Sequence, residues 1–138
     1  MPRQIEQNRN VPMYNCPNYQ NVKVKCEEEN VEFGGSLVVS MRPYRPENVQ
    51  KVIDCTVKYP KAHGAPIHVG DYETLGISDL GKPDYGDAVD LYDKELPVFW
   101  ACGVTTQQGL ESAKLPFAIT HAPGHMLVLD MFNSEMEI

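Results

Sequence analysis

The stretch Ser36–Val69, SLVVSMRPYRPENVQKVIDCTVKYPKAHGAPIHV, decides how this chain is read. Ser36–Met41 is short, apolar and rich in β-branched residues, the composition of a strand. Arg42-Pro43 is expected to end it. Pro46 suits a first helical position, where a missing N–H is harmless. Val49, Val52, Ile53 and Val57 recur at helical spacing, so residues 46–58 read as an amphipathic helix closed by Tyr59-Pro60. Ala65–Val69 reads as a second strand, stopped by Gly70-Asp71. Strand, helix and strand in this order predict a β-α-β unit with parallel pairing and a right-handed crossover.

Working outward, residues 70–95 are rich in Gly, Asp and Tyr and carry no periodicity; such long irregular stretches are often functional. Pro97–Cys102 is apolar on both faces, as a central strand would be. Thr105 and Gln108 fit a capping box, opening a short helix to Lys114 that Gly109 weakens. Phe117–Thr120 and Met126–Asp130 read as two further strands. On the other side, residues 1–10 read as a flexible polar tail, and residues 14–33, with Asn, Pro and Glu27-Glu28-Glu29, as a solvated loop or edge. The expected fold class is α/β, a layered mixed sheet of about five short strands with helices packed on it.

At 138 residues the chain is one domain, long enough to bury a core. Hydrophobic residues are 42% and charged residues 22%, which excludes a disordered or fibrous chain. The net charge of -7 opposes charge-driven binding to nucleic acid or to anionic membranes. An anionic substrate therefore needs a local cationic pocket. The longest uncharged stretches, Leu96–Leu110 and Leu115–Leu129, are too short and too interrupted to span a bilayer. The first ten residues have no apolar run for a secretory signal. Cys16, Cys26, Cys55 and Cys102 form no C-x-x-C pair and read as reduced, intracellular thiols.

Reactive residue types gather in three joining segments: His63 to Asp71, Cys102 to Thr105, and His121 to His125. All four histidines of the chain fall in two of these. His68 to Asp71, Cys102 to Thr105 and His121 sit where strands are expected to end, the edge at which open α/β sheets bind ligands. Each residue also has a plain structural reading. His63 can hydrogen-bond the loop backbone. His68 alternates with Ile67 and Val69 and is either a satisfied buried polar group or a site residue. His121 and His125 have a spacing that suits a metal only on a helix, which Pro123-Gly124 forbids. Cys102 on an apolar strand favours the core over a nucleophile. Arg42, next to a buried strand, needs an anion, either an internal or a substrate carboxylate. Glycines at 34, 35 and 103 free backbone N–H groups for anions, a nonspecific signal.

Taken together, these motifs resemble one family. Asn10-Val-Pro-Met-Tyr14, Phe33-Gly-Gly-Ser-Leu-Val-Val-Ser-Met-Arg-Pro43 and His63-Gly-Ala-Pro-Ile-His-Val-Gly-Asp71 are similar to segments of the D-glutamate cyclase family of hydro-lyases. So are Gly76-Ile-Ser-Asp-Leu80, Lys82-Pro-Asp-Tyr-Gly-Asp87, Pro97-Val-Phe-Trp-Ala-Cys-Gly-Val-Thr105 and Ile119-Thr-His-Ala-Pro-Gly-His-Met-Leu-Val128. The resemblance implies conversion of D-glutamate to 5-oxo-D-proline and water and an α/β fold of two subdomains, and that chemistry requires no cofactor. It implies a cytoplasmic location for a bacterial member and the mitochondrial matrix for an animal one. Family members carry a long region before the Asn-Val-Pro-Met-Tyr segment. Residues 11–138 are therefore expected to be a cyclase-like domain incomplete at its N-terminus.

The chemistry suggests roles. Ring closure needs a free amine, a protonated leaving oxygen, donors for an oxyanion and a cation for the α-carboxylate. Arg42 is expected to hold a substrate carboxylate. One of His68, His121 and His125 is expected to act as general acid–base, with Asp71 orienting it or sharing the proton. His63, Cys102, Gly103, Thr105 and Gly124 are expected to bind substrate, Gly103, Gly124 and Thr105 at the oxyanion. The partner expected is a small amino-acid substrate, with no metal ligand set, and a homo-oligomer is left open. The rival readings are a metal-dependent lyase using the histidines with Asp71 and Asp79, and a small-molecule-binding module without catalysis.

Overall fold

A computed structural model describes residues 11–20, 24–26, 31–125 and 127–138. Among these, the elements in chain order are β1 (Met13–Gln20), β2 (Val24–Cys26), β3 (Val31–Phe33), β4 (Ser36–Tyr44), α1 (Pro46–Thr56), β5 (His68–Val69), β6 (Leu96–Ala101) and α2 (Thr105–Ala113). Two 3-10 turns, Tyr72–Leu75 and Asn133–Glu135, complete them. The main sheet has the order β1-β4-β6-β5, and β2 pairs with β3 as a separate ribbon. The result is a small α/β layered domain, with α2 packed on β3 and β4.

The expected parallel β-α-β unit is not what forms. β4 and β5 run in the same direction, but β6 lies between them and is antiparallel to both. The unit is split, because Pro97–Cys102 is more apolar than Ala65–Val69 and takes the central place. Val98 and Phe99 are fully buried there. The second strand shrinks to His68–Val69, with Ile67 N–H adding a bond to the Phe99 carbonyl at 2.8 Å.

Pro43 does not stop β4, which continues to Tyr44. Met41 N–H points to the β1 side, donating to the Pro12 carbonyl at 3.0 Å. Two residues on, Pro43 faces the same way, where β1 has already ended, so its missing N–H costs no ladder bond. The helix forms as the apolar spacing predicts, with Pro46 in its first turn and Val57 as its C-terminal cap.

Of the two readings of residues 14–33, solvated loop or edge, the second holds where the chain is described: β1 is an edge strand of the main sheet, and β2 and β3 pair with each other. Tyr14 and Cys16 alternate into the core against Val39, Met41 and Phe99, and Leu75 and Ile77 close over them. The Tyr14 hydroxyl donates to the Leu80 carbonyl at 2.7 Å, which lets a polar group sit in an apolar layer. Residues 1–10, 21–23 and 27–30, including the expected tail and the Glu27-Glu28-Glu29 run, lie outside the described residues. The expected strands at 117–120 and 126–130 do not form: residues 117–120 and 127–129 are irregular and exposed, and Met126 lies outside the described residues. Without a neighbouring strand to pair with, an apolar run has no ladder to join.

Candidate active site

Alternation along the strands sorts the predicted residues. Met41 faces Phe99 across the ladder, and Phe99 also faces His68. These three share the core face of the sheet. Ser40 faces Trp100, and Arg42 faces Val98, on the opposite face. Arg42 therefore projects away from the main core, and His68 projects toward it.

On the Arg42 face lies a cleft of about 470 Å³. Arg42 and Ser40 line it from β4, and His63 and Ala62 from the loop after α1. Cys102, Gly103 and Val104 line it from the turn into α2, and His121, Gly124, His125 and Leu127 from the segment beyond. Three of the four histidines thus meet at one cleft with a half-buried guanidinium.

Each group is held by a definable contact. The His63 Nδ1–H donates to the Ala101 carbonyl at 2.8 Å. A carbonyl can only accept, so the proton of a neutral His63 sits on Nδ1 and its Nε2 keeps the lone pair. Gln107 of α2 donates its Nε2–H to the His121 carbonyl at 2.6 Å, tethering that segment to the helix. Gly124 turns the chain at φ 75° so that His125 can follow, and the His125 N–H closes the turn on the Ala122 carbonyl. The Cys102 thiol lies 3.5 Å from the Met13 sulfur, and burial pushes its pKa up, so at neutral pH it is an uncharged wall of the cleft.

His68 and Asp71 do not line this cleft. The His68 ring lies 6.0 Å from that of Phe99, tilted by 46°, and donates its Nε2–H to the Asp71 carbonyl at 2.5 Å. The Asp71 carboxylate accepts from the Thr74 hydroxyl at 2.8 Å and from the Glu73 N–H at 3.1 Å, capping the turn Tyr72–Leu75. The Thr74 hydroxyl first, and then the backbone N–H groups, hold the Asp71 carboxyl below its ordinary pKa. Thr105 is also otherwise engaged. Val104, not Thr105, caps α2, and the expected capping box is absent. The Thr105 hydroxyl accepts from the Val38 N–H at 3.0 Å and bonds the Val38 carbonyl at 3.2 Å.

Ser40 is a cleft residue that the sequence reading passed over. The available signal was its place two residues before Arg42 on one strand, which puts both on one face. Among the described residues, no group of three or more His, Cys, Asp and Glu is placed to hold a metal ion, so the metal-dependent reading has no ligand set there. No helix among them is long and apolar enough to cross a membrane.

Fold and cleft together define a small α/β domain with a cleft lined by imidazoles and a guanidinium. The chain belongs to the D-glutamate cyclase family, whose pattern it matches over residues 1–130. It is 53% identical over 134 residues to a protein of Rubrobacter xylanophilus named "Putative hydro-lyase", covering 97% of this chain and 49% of that one. A protein of the same name from Paraburkholderia phytofirmans is 50% identical over 139 residues, covering 99% of this chain and 50% of the relative. A third, from Bradyrhizobium diazoefficiens, is 49% identical over 136 residues. The chain thus spans about half the length of the curated relatives it matches. These relatives are bacterial, and nothing in them points to a mitochondrion.

Proposed function

We propose that this chain carries the reacting cleft of a hydro-lyase that closes D-glutamate to 5-oxo-D-proline with release of water. The observation that carries the reading is the meeting of Arg42, His63, His121 and His125 at one cleft on the Arg42 face of the sheet. Family membership supports the same reaction class.

The reaction forms a C–N bond between the α-nitrogen and the γ-carbon and breaks one γ-C–O bond. Two protons leave the ammonium nitrogen and depart with the oxygen as water, so no electrons change hands. Arg42 grips a substrate carboxylate, for which its planar fork is suited. That grip holds amine and γ-carboxyl together, which supplies much of the acceleration of a ring closure. His63 is the acid–base that the geometry favours, because the Ala101 carbonyl fixes its tautomer and leaves Nε2 to carry protons from nitrogen to oxygen. His121 and His125 offer further donors at the rim, and backbone at Gly103 and Gly124 lies beside them for the oxyanion. His68, Asp71 and Thr105 serve the sheet and its turns. A binding module without turnover is the second reading, favoured by the exposure of His125 and Leu127 at the cleft rim.

The test follows 5-oxoproline by chiral chromatography after D-glutamate is added to the purified chain. His63→Ala is expected to lower kcat by about 10²–10⁴. Arg42→Ala is expected to raise KM, and His68→Ala to leave kcat nearly unchanged. Equal turnover in the His63 and Arg42 variants would overturn the assignment. Binding of D-glutamate with no turnover would favour the second reading.

A further inference from the structure

Among the described residues that line the cleft, Ser40 carries the one hydroxyl. It is half-buried, and among the described residues it has no hydrogen-bond partner. The hydroxyl expected at the oxyanion, that of Thr105, is committed instead to the backbone of Val38. Arg42, two residues on along the same strand, is likewise half-buried and without an ion pair among the described residues. Donors that the protein does not satisfy are free for a ligand, and here two of them stand side by side on one face.

Strand register places Ser40 between the two ends of the cleft. Arg42 stands opposite Val98, Ser40 opposite Trp100, and Val39 opposite Ala101, whose carbonyl holds His63. One step further, the Cys102 N–H bonds the Val38 carbonyl and the chain turns into Gly103. Along the sheet the order is therefore Arg42, Ser40, the anchor of His63, and Gly103. The Cα atoms of Ser40 and Arg42 are about 6.7 Å apart, two residues of extended strand. A substrate lying with its α-carboxylate on Arg42 and its amine toward His63 then carries its γ-carbon past Ser40. Met13 and Trp100, which flank Ser40 on β1 and β6, are 4% and 5% exposed, so the hydroxyl is carried by closely packed backbone.

We propose that the Ser40 hydroxyl donates to the γ-oxygen of the substrate as negative charge builds on it, and to the ring carbonyl of the product; this rests on the reading of Arg42 as the carboxylate grip. Ser40 is then a catalytic residue that keeps its own proton and forms no covalent bond. A donor placed there acts on charge that is full only near the transition state, so it raises kcat more than it lowers KM.

Calorimetry on the 138-residue chain compares 5-oxo-D-proline with cyclopentanecarboxylate, which keeps a ring and a carboxylate but has no ring carbonyl. Ser40→Ala is expected to weaken 5-oxo-D-proline about fivefold and to leave cyclopentanecarboxylate unchanged. Arg42→Ala is expected to weaken both. With D-glutamate, Ser40→Ala is expected to lower kcat by about 10²–10³ with KM and Tm little changed, and Ser40→Thr to recover most of the loss. Equal affinity of the wild-type chain and Ser40→Ala for 5-oxo-D-proline, an equal loss of both ligands, or an unchanged kcat overturns the proposal and leaves Arg42 as the grip. A wild-type chain that binds neither ligand overturns both. A loss confined to 5-oxo-D-proline in a chain without turnover upholds the Ser40 contact and overturns only the ring closure.

Discussion

Tyr14, Cys16 and Thr105 show how single residues hold the layer behind the cleft. Burial first, and then Asp79 and Asp84, push the Tyr14 pKa up to about 12. Burial, followed by Asp84, pushes the Cys16 thiol up to about 11. The unfolded chain ionises both groups at lower pH than the folded one. Their contribution to stability is therefore complete below about pH 9 and is lost as pH rises through 11 and then 12. Urea midpoints measured at rising pH should fall over that window. In Tyr14→Phe the upper part of the fall should vanish, at the expense of about 1 kcal/mol for the lost bond to Leu80. Thr105 makes a second case. Its hydroxyl bonds both backbone groups of the fully buried Val38, just where β6 has ended. Thr105→Val should cost about 1–3 kcal/mol by stranding a buried N–H, and Thr105→Ser should recover most of it. Equal urea midpoints for the two variants would contradict this reading.

At the scale of elements, what was legible and what was not divides by the kind of signal. β6 was legible because Val98, Phe99 and Trp100 are apolar on both faces, which only a central strand satisfies. α1 was legible from the spacing of Val49, Val52 and Ile53. β1 was not, because Pro17 and two asparagines, Asn15 and Asn18, mask the alternation of Tyr14 and Cys16. Pro17 is tolerated since β1 is an edge, irregular in register between Cys16 and Gln20. The pairing order was not legible either, since nothing local records that β6 enters between β4 and β5. For the cleft, residue types near strand ends brought Arg42, His63, Cys102, Gly103, His121, Gly124 and His125 to notice. The face of the sheet then decided which line the cleft together, and His68 fell on the opposite one. The turn Tyr72–Leu75 depends on Gly76, at φ 83°, where an added Cβ would lie 2.9 Å from Pro17. Gly76→Ala should therefore destabilise the chain by about 1–3 kcal/mol, read as a lower urea midpoint. An unchanged midpoint would mean that β1 gives way without cost.

The whole molecule is asymmetric across its sheet. One face is sealed by the chain's own residues 67–80, around Phe99 and Met41. The other carries the cleft, built in part on Met13 of β1, Ser40 and Arg42 of β4 and the turn after β6, and in part on His63, His121, Gly124, His125 and Leu127, which lie outside helices and strands. Such a division places a rigid wall opposite an adjustable one, and local opening free energies should differ between them. Amides of Val39–Met41 and Val98–Trp100 should exchange slowest, and those of His121–His125 among the fastest. A ligand that bridges the two walls must then stabilise the folded chain and quiet the adjustable side together. By mass action, 5-oxo-D-proline at about 100 times its Kd should add about 2.7 kcal/mol. For a domain of this size that corresponds to a rise in Tm of roughly 10 °C. The same ligand should slow the His121–His125 amides, because the gain comes from joining that segment to Arg42. In Arg42→Ala both effects should disappear, since one wall has lost its grip on the carboxylate. A Tm rise that survives in Arg42→Ala, or one without slower exchange at His121–His125, would place the ligand elsewhere on the molecule.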